Sequence, residues 1–153
     1  MSFIDEIKEM ENDRNSKENI VVNDILEYFK ERMENEKFTE VLKNNYIKEA
    51  INEGKNTCDL MIEFWEYSSG CSNTYIYVGG CGRFELKPTD DDYHSHYDYK
   101  GIRLKDIHKR ICKELSKMLK EKLEELGLTI LSSEREDDNY RFKYYKEKIT
   151  ISW

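Results

Sequence analysis

Six residues able to hold a soft metal lie in the middle of the chain: Cys71, Cys81, His94, His96, His108 and Cys112. His108 and Cys112 stand four apart, the spacing at which two helix side chains share a face and reach one ion. A structural zinc site normally brackets its ion with close pairs such as Cys-x₂-Cys, and no such pair occurs here. Cys112 also fits beside Ile111 and Leu115 as a small apolar residue. The six therefore read as separate thiols and imidazoles, and no metal is expected.

A second chemistry centres on Gly79-Gly80-Cys81-Gly82-Arg83. A thiol among glycines and beside a guanidinium is a setting that lowers a thiol pKa. His94 or His96 would then serve as base, oriented by Asp90, Asp91 or Asp92. Nothing in the sequence fixes that geometry, and the same five residues suit a turn, so no catalytic residue is assigned. Asp90, Asp91, Asp92 and Asp98 would suit Mg²⁺ or Ca²⁺ if they converged, but the Asp-x-Asp-x-Asp-Gly order of a calcium loop is absent. No glycine-rich phosphate loop, nucleophile elbow or His-Glu-x-x-His occurs either. The expectation is a protein without catalytic activity or cofactor. A Cys/His metal protein or a cysteine-dependent enzyme is the alternative.

Charge points further. The net charge is −7, which disfavours general attraction to nucleic acid or anionic lipid. Residues 1–57 carry −5, residues 58–100 carry −5, residues 101–127 carry +3 and residues 128–153 balance. In the basic stretch Lys109, Lys113, Lys117 and Lys120 fall at i, i+4, i+8 and i+11, with Arg103, Lys105 and Arg110 around them. Cations at a helix N-terminus oppose its dipole, and no Ser, Thr, Asp or Asn caps Leu104. A nucleic-acid backbone would use such a stripe. No aromatic residue interleaves the lysines to stack bases, so the preferred account is neutralisation by Asp90–Asp92 and Asp98, and direct nucleic-acid binding is the third reading.

The acidic loops carry the first reading. Asp90, Asp91, Asp92 and Asp98 alternate with Tyr93, Tyr97 and Tyr99, and a second acidic turn holds Glu134, Glu136, Asp137 and Asp138. Carboxylates beside rigid amphipathic rings suit a protein-binding patch facing a basic partner. One version is an inhibitor that fills a nucleic-acid groove with carboxylates in place of phosphates.

The elements that must position these residues follow from periodicity. The longest is a helix from Leu104 to Leu126, with Ile107, Ile111, Leu115, Met118, Leu119 and Leu123 on one stripe and Gly127 as its stop. Before it, residues 1–57 read as short helices. The first is capped by Ser2 and breaks at Asn12–Ser16, the second carries Val22, Ile25, Leu26, Phe29 and Met33, and the third runs from Phe38 to Gly54 after a polar run at 34–37. A single helix through the second and third is the less favoured alternative. From Cys58 the period becomes two. One strand is centred on Leu60, Ile62 and Phe64, and another on Tyr75, Ile76 and Tyr77. Gly79-Gly80 marks either a hairpin or a bulge before Arg83–Lys87. After Gly127 come a strand at Thr129–Ser132, the acidic turn, a strand at Tyr140–Tyr144, a possible turn at Lys146-Glu147 and the apolar Ile149–Trp153. Short turns between neighbouring strands mean antiparallel pairing. The sum is one α+β domain over 1–153: a helical part at 1–57, then β-β-α-β-β with the long helix on one face of an antiparallel sheet. No leader pattern and no run of the ~18 apolar residues that span a bilayer is visible, so a cytoplasmic location with reduced thiols is expected.

Overall fold

Helix α1 runs without a break from Phe3 to Glu34, 32 residues in the computed structural model, which describes residues 2–66, 74–86, 98–136 and 143–153. Its start is a reciprocal cap: Ser2 Oγ accepts from the Asp5 amide at 3.1 Å, and the Asp5 carboxylate accepts from the Ser2 amide at 3.3 Å. The break expected at Asn12–Ser16 does not occur. Those residues contain no glycine or proline, their side chains are exposed to water, and the Arg14–Glu18 ion pair at 3.0 Å bridges the turn. The break expected at the polar run 34–37 does occur, at Asn35, whose side chain accepts from the Lys37 amide at 2.9 Å and opens the next helix. That helix, α2 (Glu36–Val41), passes through a π-helical turn (Leu42–Ile47) into α3 (Lys48–Asn52). Gly54, at φ +77°, ends it, with the Lys55 amide donating back to Ala50 O.

Five antiparallel strands follow: β1 (Thr57–Trp65), β2 (Thr74–Val78), β3 (Gly82–Leu86), β6 (Thr129–Glu136) and β7 (Lys143–Ser152), in spatial order β3-β2-β1-β7-β6. Between β3 and the long helix lies a tight hairpin of β4 (Asp98–Tyr99) and β5 (Ile102–Arg103), turned by Lys100 and Gly101 at positive φ. The Gly79-Gly80 ambiguity resolves as a hairpin. Val78 pairs with Gly82, the Cys81 amide donates to Val78 O at 2.9 Å, and Gly80 takes φ +86°.

Two expectations for the last third change. The turn placed at Lys146-Glu147 is absent, because β7 pairs continuously with β1 on one side and β6 on the other. Glu134 and Glu136 stand in strand β6 rather than in a turn. Alternation explains both: Glu147 points into the interior, where it has partners, while Lys146 and Lys148 point out and pair with Glu136 and Glu134 across the ladder.

The core lies between the sheet and a layer of two helices. Leu60, Ile62, Phe64, Ile76, Val78, Tyr145, Ile149 and Ile151 face inward from the strands. Helix α4 (Leu104–Glu125) covers them with Leu104, Ile107, Ile111, Leu115, Leu119 and Leu123, as its stripe requires. Gly127, at φ +89°, stops it. α1 lies beside α4 in the same direction: Arg14 and Asn19 meet Asp106 and Arg110 at one end, and Met33 and Glu34 share a groove with Met118 and Lys122 at the other. Val21, Val22, Ile25, Phe29 and Met33 of α1 complete the core. Among the described residues no helix is long and apolar enough to cross a membrane.

Candidate interaction surface

With Val21, Val22, Ile25, Phe29 and Met33 committed inward, α1 presents a face to water on which acidic residues predominate. Glu6, Glu9, Asp13, Asp24, Glu27, Glu31 and Glu34 follow one another in steps of three and four, apart from one gap at 14–23. On a helix such steps make a single row. From Glu6 to Glu34 the row spans about 42 Å at 1.5 Å per residue. Asp24 is tied to Lys100 and, at 3.5 Å, to the Tyr99 hydroxyl. The other six are exposed, and none takes part in an ion pair among the described residues. Windowed charge counts detect the acidity of 1–57 but not its alignment. The signal that finds the row is the 3-4 spacing of acids at positions complementary to the apolar stripe.

The loops favoured by sequence reasoning contribute less. Asp90, Asp91, Asp92, Tyr93, His94, His96, Tyr97, Asp137, Asp138 and Cys71 lie outside the described residues. Asp98 is exposed, but Tyr99 packs edge-on against Phe84 with centroids 5.3 Å apart and serves the α1–β4 contact. Glu134 and Glu136 face Lys148 and Lys146 at 3.5 and 3.8 Å, so their charge is locally balanced. At the end of β5, Arg103 lies 3.5 Å from Glu66, and on α4 Arg110 donates to Asn19 at 2.8 Å. Lys109, Lys113 and Lys117 are exposed and make no ion pair among the described residues.

No group of three or more His, Cys, Asp or Glu side chains among the described residues is placed to hold a metal. His108 is buried against Phe64, rings stacked at 4.6 Å, with Nδ1 2.6 Å from Lys105 O. Cys112 is fully buried, and burial raises its thiol pKa. Burial likewise pushes the Cys81 thiol up to about 12, against the smaller opposing pull of Arg32. That is opposite to what a nucleophile needs. No protein-family model, curated protein or solved structure matches the chain.

Two buried carboxylates went unnoticed in the sequence. Glu147 on β7 accepts from Ser116 of α4 at 2.5 Å, Tyr145 at 2.8 Å and Ser133 of β6 at 2.9 Å, with Lys120 at 3.5 Å. Burial pushes its pKa up, but these hydrogen bonds and the lysine together outweigh that and hold it below the usual range. Glu66, just past β1, is pushed the other way. Its burial outweighs the pull of Arg103, so its pKa is raised. Alternation beyond the Trp65–Tyr75 pair sets it beside Thr74, whose buried hydroxyl has no hydrogen-bond partner. Glu147 is a clamp between α4, β6 and β7, its carboxylate committed to three hydroxyls and Lys120. The exposed row on α1 is the surface with charge to spare.

Proposed function

We propose that the protein is a non-catalytic interaction protein that engages a basic surface of a partner protein through the acidic row of α1. The observation that supports this is the set of six exposed carboxylates along about 42 Å of one unbroken helix, which outnumber the cations beside them, Lys17 and Lys30. Phosphates along one DNA strand rise 3.4 Å each, so the row is as long as about twelve nucleotides. A partner groove that tracks a nucleic-acid backbone would meet carboxylates where it expects phosphates, and the protein would act there as an inhibitor.

The test is capture from cell extract at low and high salt by the wild-type chain and by E27K/E31K/E34K. These three positions are exposed, so the variant keeps the fold. A partner held at low salt, released at high salt and lost by the variant supports the reading. If the same proteins are retained at both salt concentrations and by the variant, the electrostatic account fails. Competition with nucleic acid for the captured partner then tests the inhibitor version.

A further inference from the structure

Where α1 ends, its Tyr28 and Arg32 come together with the start of α2 and the β2–β3 turn around a cavity of about 470 Å³. That volume lies within the range of small-molecule sites. The glycine turn forms one wall. Gly80 passes so close to Phe38 that a Cβ there would stand 2.8 Å from the ring, and the φ of +86° excludes most other residues as well. Phe38 and Cys81, both buried, make the floor. Tyr28 and Val41, half-buried, supply apolar walls.

The charge around this cavity has the reverse sign to the chain as a whole. Arg32 and Lys37 line it against the single carboxylate of Glu31. Arg32 is held in place twice. Its guanidinium lies 4.3 Å over the Tyr28 ring, and Nη1 donates to Cys81 O at 3.2 Å. The Tyr28 hydroxyl is in turn fixed on Arg83 O at 2.6 Å. A guanidinium has five N–H donors in a rigid fork, and one donor spent on a carbonyl leaves the rest oriented in advance. Lys37 makes no ion pair among the described residues, so nothing in the fold accounts for a second cation at this rim.

We infer that this cavity binds a small organic anion, its phosphate or carboxylate head between Arg32 and Lys37 and its flat apolar body along Tyr28 and Val41. The glycines of the β2–β3 turn are spent on making the wall thin. The site shares Glu31 with the acidic row but does not rest on the proposed function, because the cations that would hold the head group are Arg32 and Lys37.

Titration of the full chain by NMR or calorimetry tests this with four probes: phenyl phosphate, benzoate, inorganic phosphate and phenol. The expected result is saturable binding of phenyl phosphate or benzoate, with the corresponding fragments at least about tenfold weaker because each satisfies only half the site. Whichever of the two binds tighter identifies the head group. K37Q should weaken binding about tenfold with an unchanged melting temperature, since its exposed side chain makes no ion pair among the described residues, and V41E should weaken binding by a similar factor. R32Q should do the same, but it also loosens the β2–β3 turn, so K37Q is the deciding variant. No saturable binding of either aromatic anion at millimolar concentration overturns the inference. So does binding unchanged by K37Q, or inorganic phosphate that binds as well as phenyl phosphate.

Discussion

Replacing Glu147 should show how strongly the two sheet halves and α4 are clamped together. In Glu147→Ala the hydroxyls of Ser116, Tyr145 and Ser133 lose their common acceptor, and Ser116 and Tyr145 are buried. Each buried hydroxyl left unsatisfied costs about 1–3 kcal/mol. Ser133, on exposed β6, can turn to water, as can Lys120. The expected loss is about 3–5 kcal/mol, a large share of the 5–15 kcal/mol typical of a domain. Urea unfolding followed by tryptophan fluorescence, with Trp65 and Trp153 as reporters, measures it. Glu147→Gln separates charge from shape. Because the folded pKa of Glu147 is depressed, its ionised form stabilises the fold above the unfolded value of about 4.3, and that contribution disappears as pH falls through the folded pKa. The wild-type advantage over the glutamine variant should therefore be full at pH 7 and shrink below about pH 4.3. A loss under about 1 kcal/mol in the alanine variant would refute the clamp. So would two pH–stability curves that stay parallel down to acid.

Three further outcomes are expected. Glu66→Gln should leave stability within about 1 kcal/mol of wild type or raise it at pH 7; the raised folded pKa of Glu66 means its ionisation costs stability above that pKa, so any advantage of glutamine vanishes toward low pH, and an advantage growing in acid would contradict this. Gly80→Ala meets both a positive φ and the Phe38 ring and should cost about 1–3 kcal/mol by the same urea measurement, whereas an unchanged midpoint would mean the turn relaxes freely. Cys81 and Cys112 should resist a thiol reagent at pH 8 until the chain unfolds, with rates tracking unfolding across urea concentrations; fast labelling of Cys81 in the native protein would reopen the nucleophile reading.

What the sequence made legible were features written in apolar periodicity. The α4 stripe, its stop at Gly127 and the alternation through Leu60, Ile62 and Phe64 all survive, because burial is what sets those periods. Where polar residues decide, the reading failed. Asn12–Ser16 looks like a break because four of its five residues are poor helix formers, yet each of the four costs only about 0.5 kcal/mol in an exposed turn, which the Arg14–Glu18 pair and the continuing helix together offset. Lys146-Glu147 looked like a turn because two charges interrupt an apolar strand. One of them points inward to hydroxyls that lie 14 and 31 residues away in the chain, and local pattern cannot register that. The Asp98–Arg103 hairpin was missed for its shortness, although Lys100-Gly101 is the kind of dipeptide such a turn uses.

The same limit governs where the acidic charge was sought. Counting acids per segment favours dense clusters such as Asp90–Asp92, and density implies nothing about partners already present. Glu134 and Glu136 show the consequence, since a strand register the sequence does not display sets each opposite a lysine. On α1 the argument runs the other way. Its apolar face is fixed by Val21, Val22, Ile25, Phe29 and Met33, and among the described residues only Asp24 on the opposite face receives a cation from another element, Lys100. Six carboxylates there make no ion pair among the described residues. Mutual repulsion along such a row costs a few tenths of a kcal/mol for each like pair at helical spacing, and Lys17 and Lys30 offset only part of it. A cost only partly returned within the fold is what a surface shaped for an outside cation would show, and salt-dependent capture by α1 tests it.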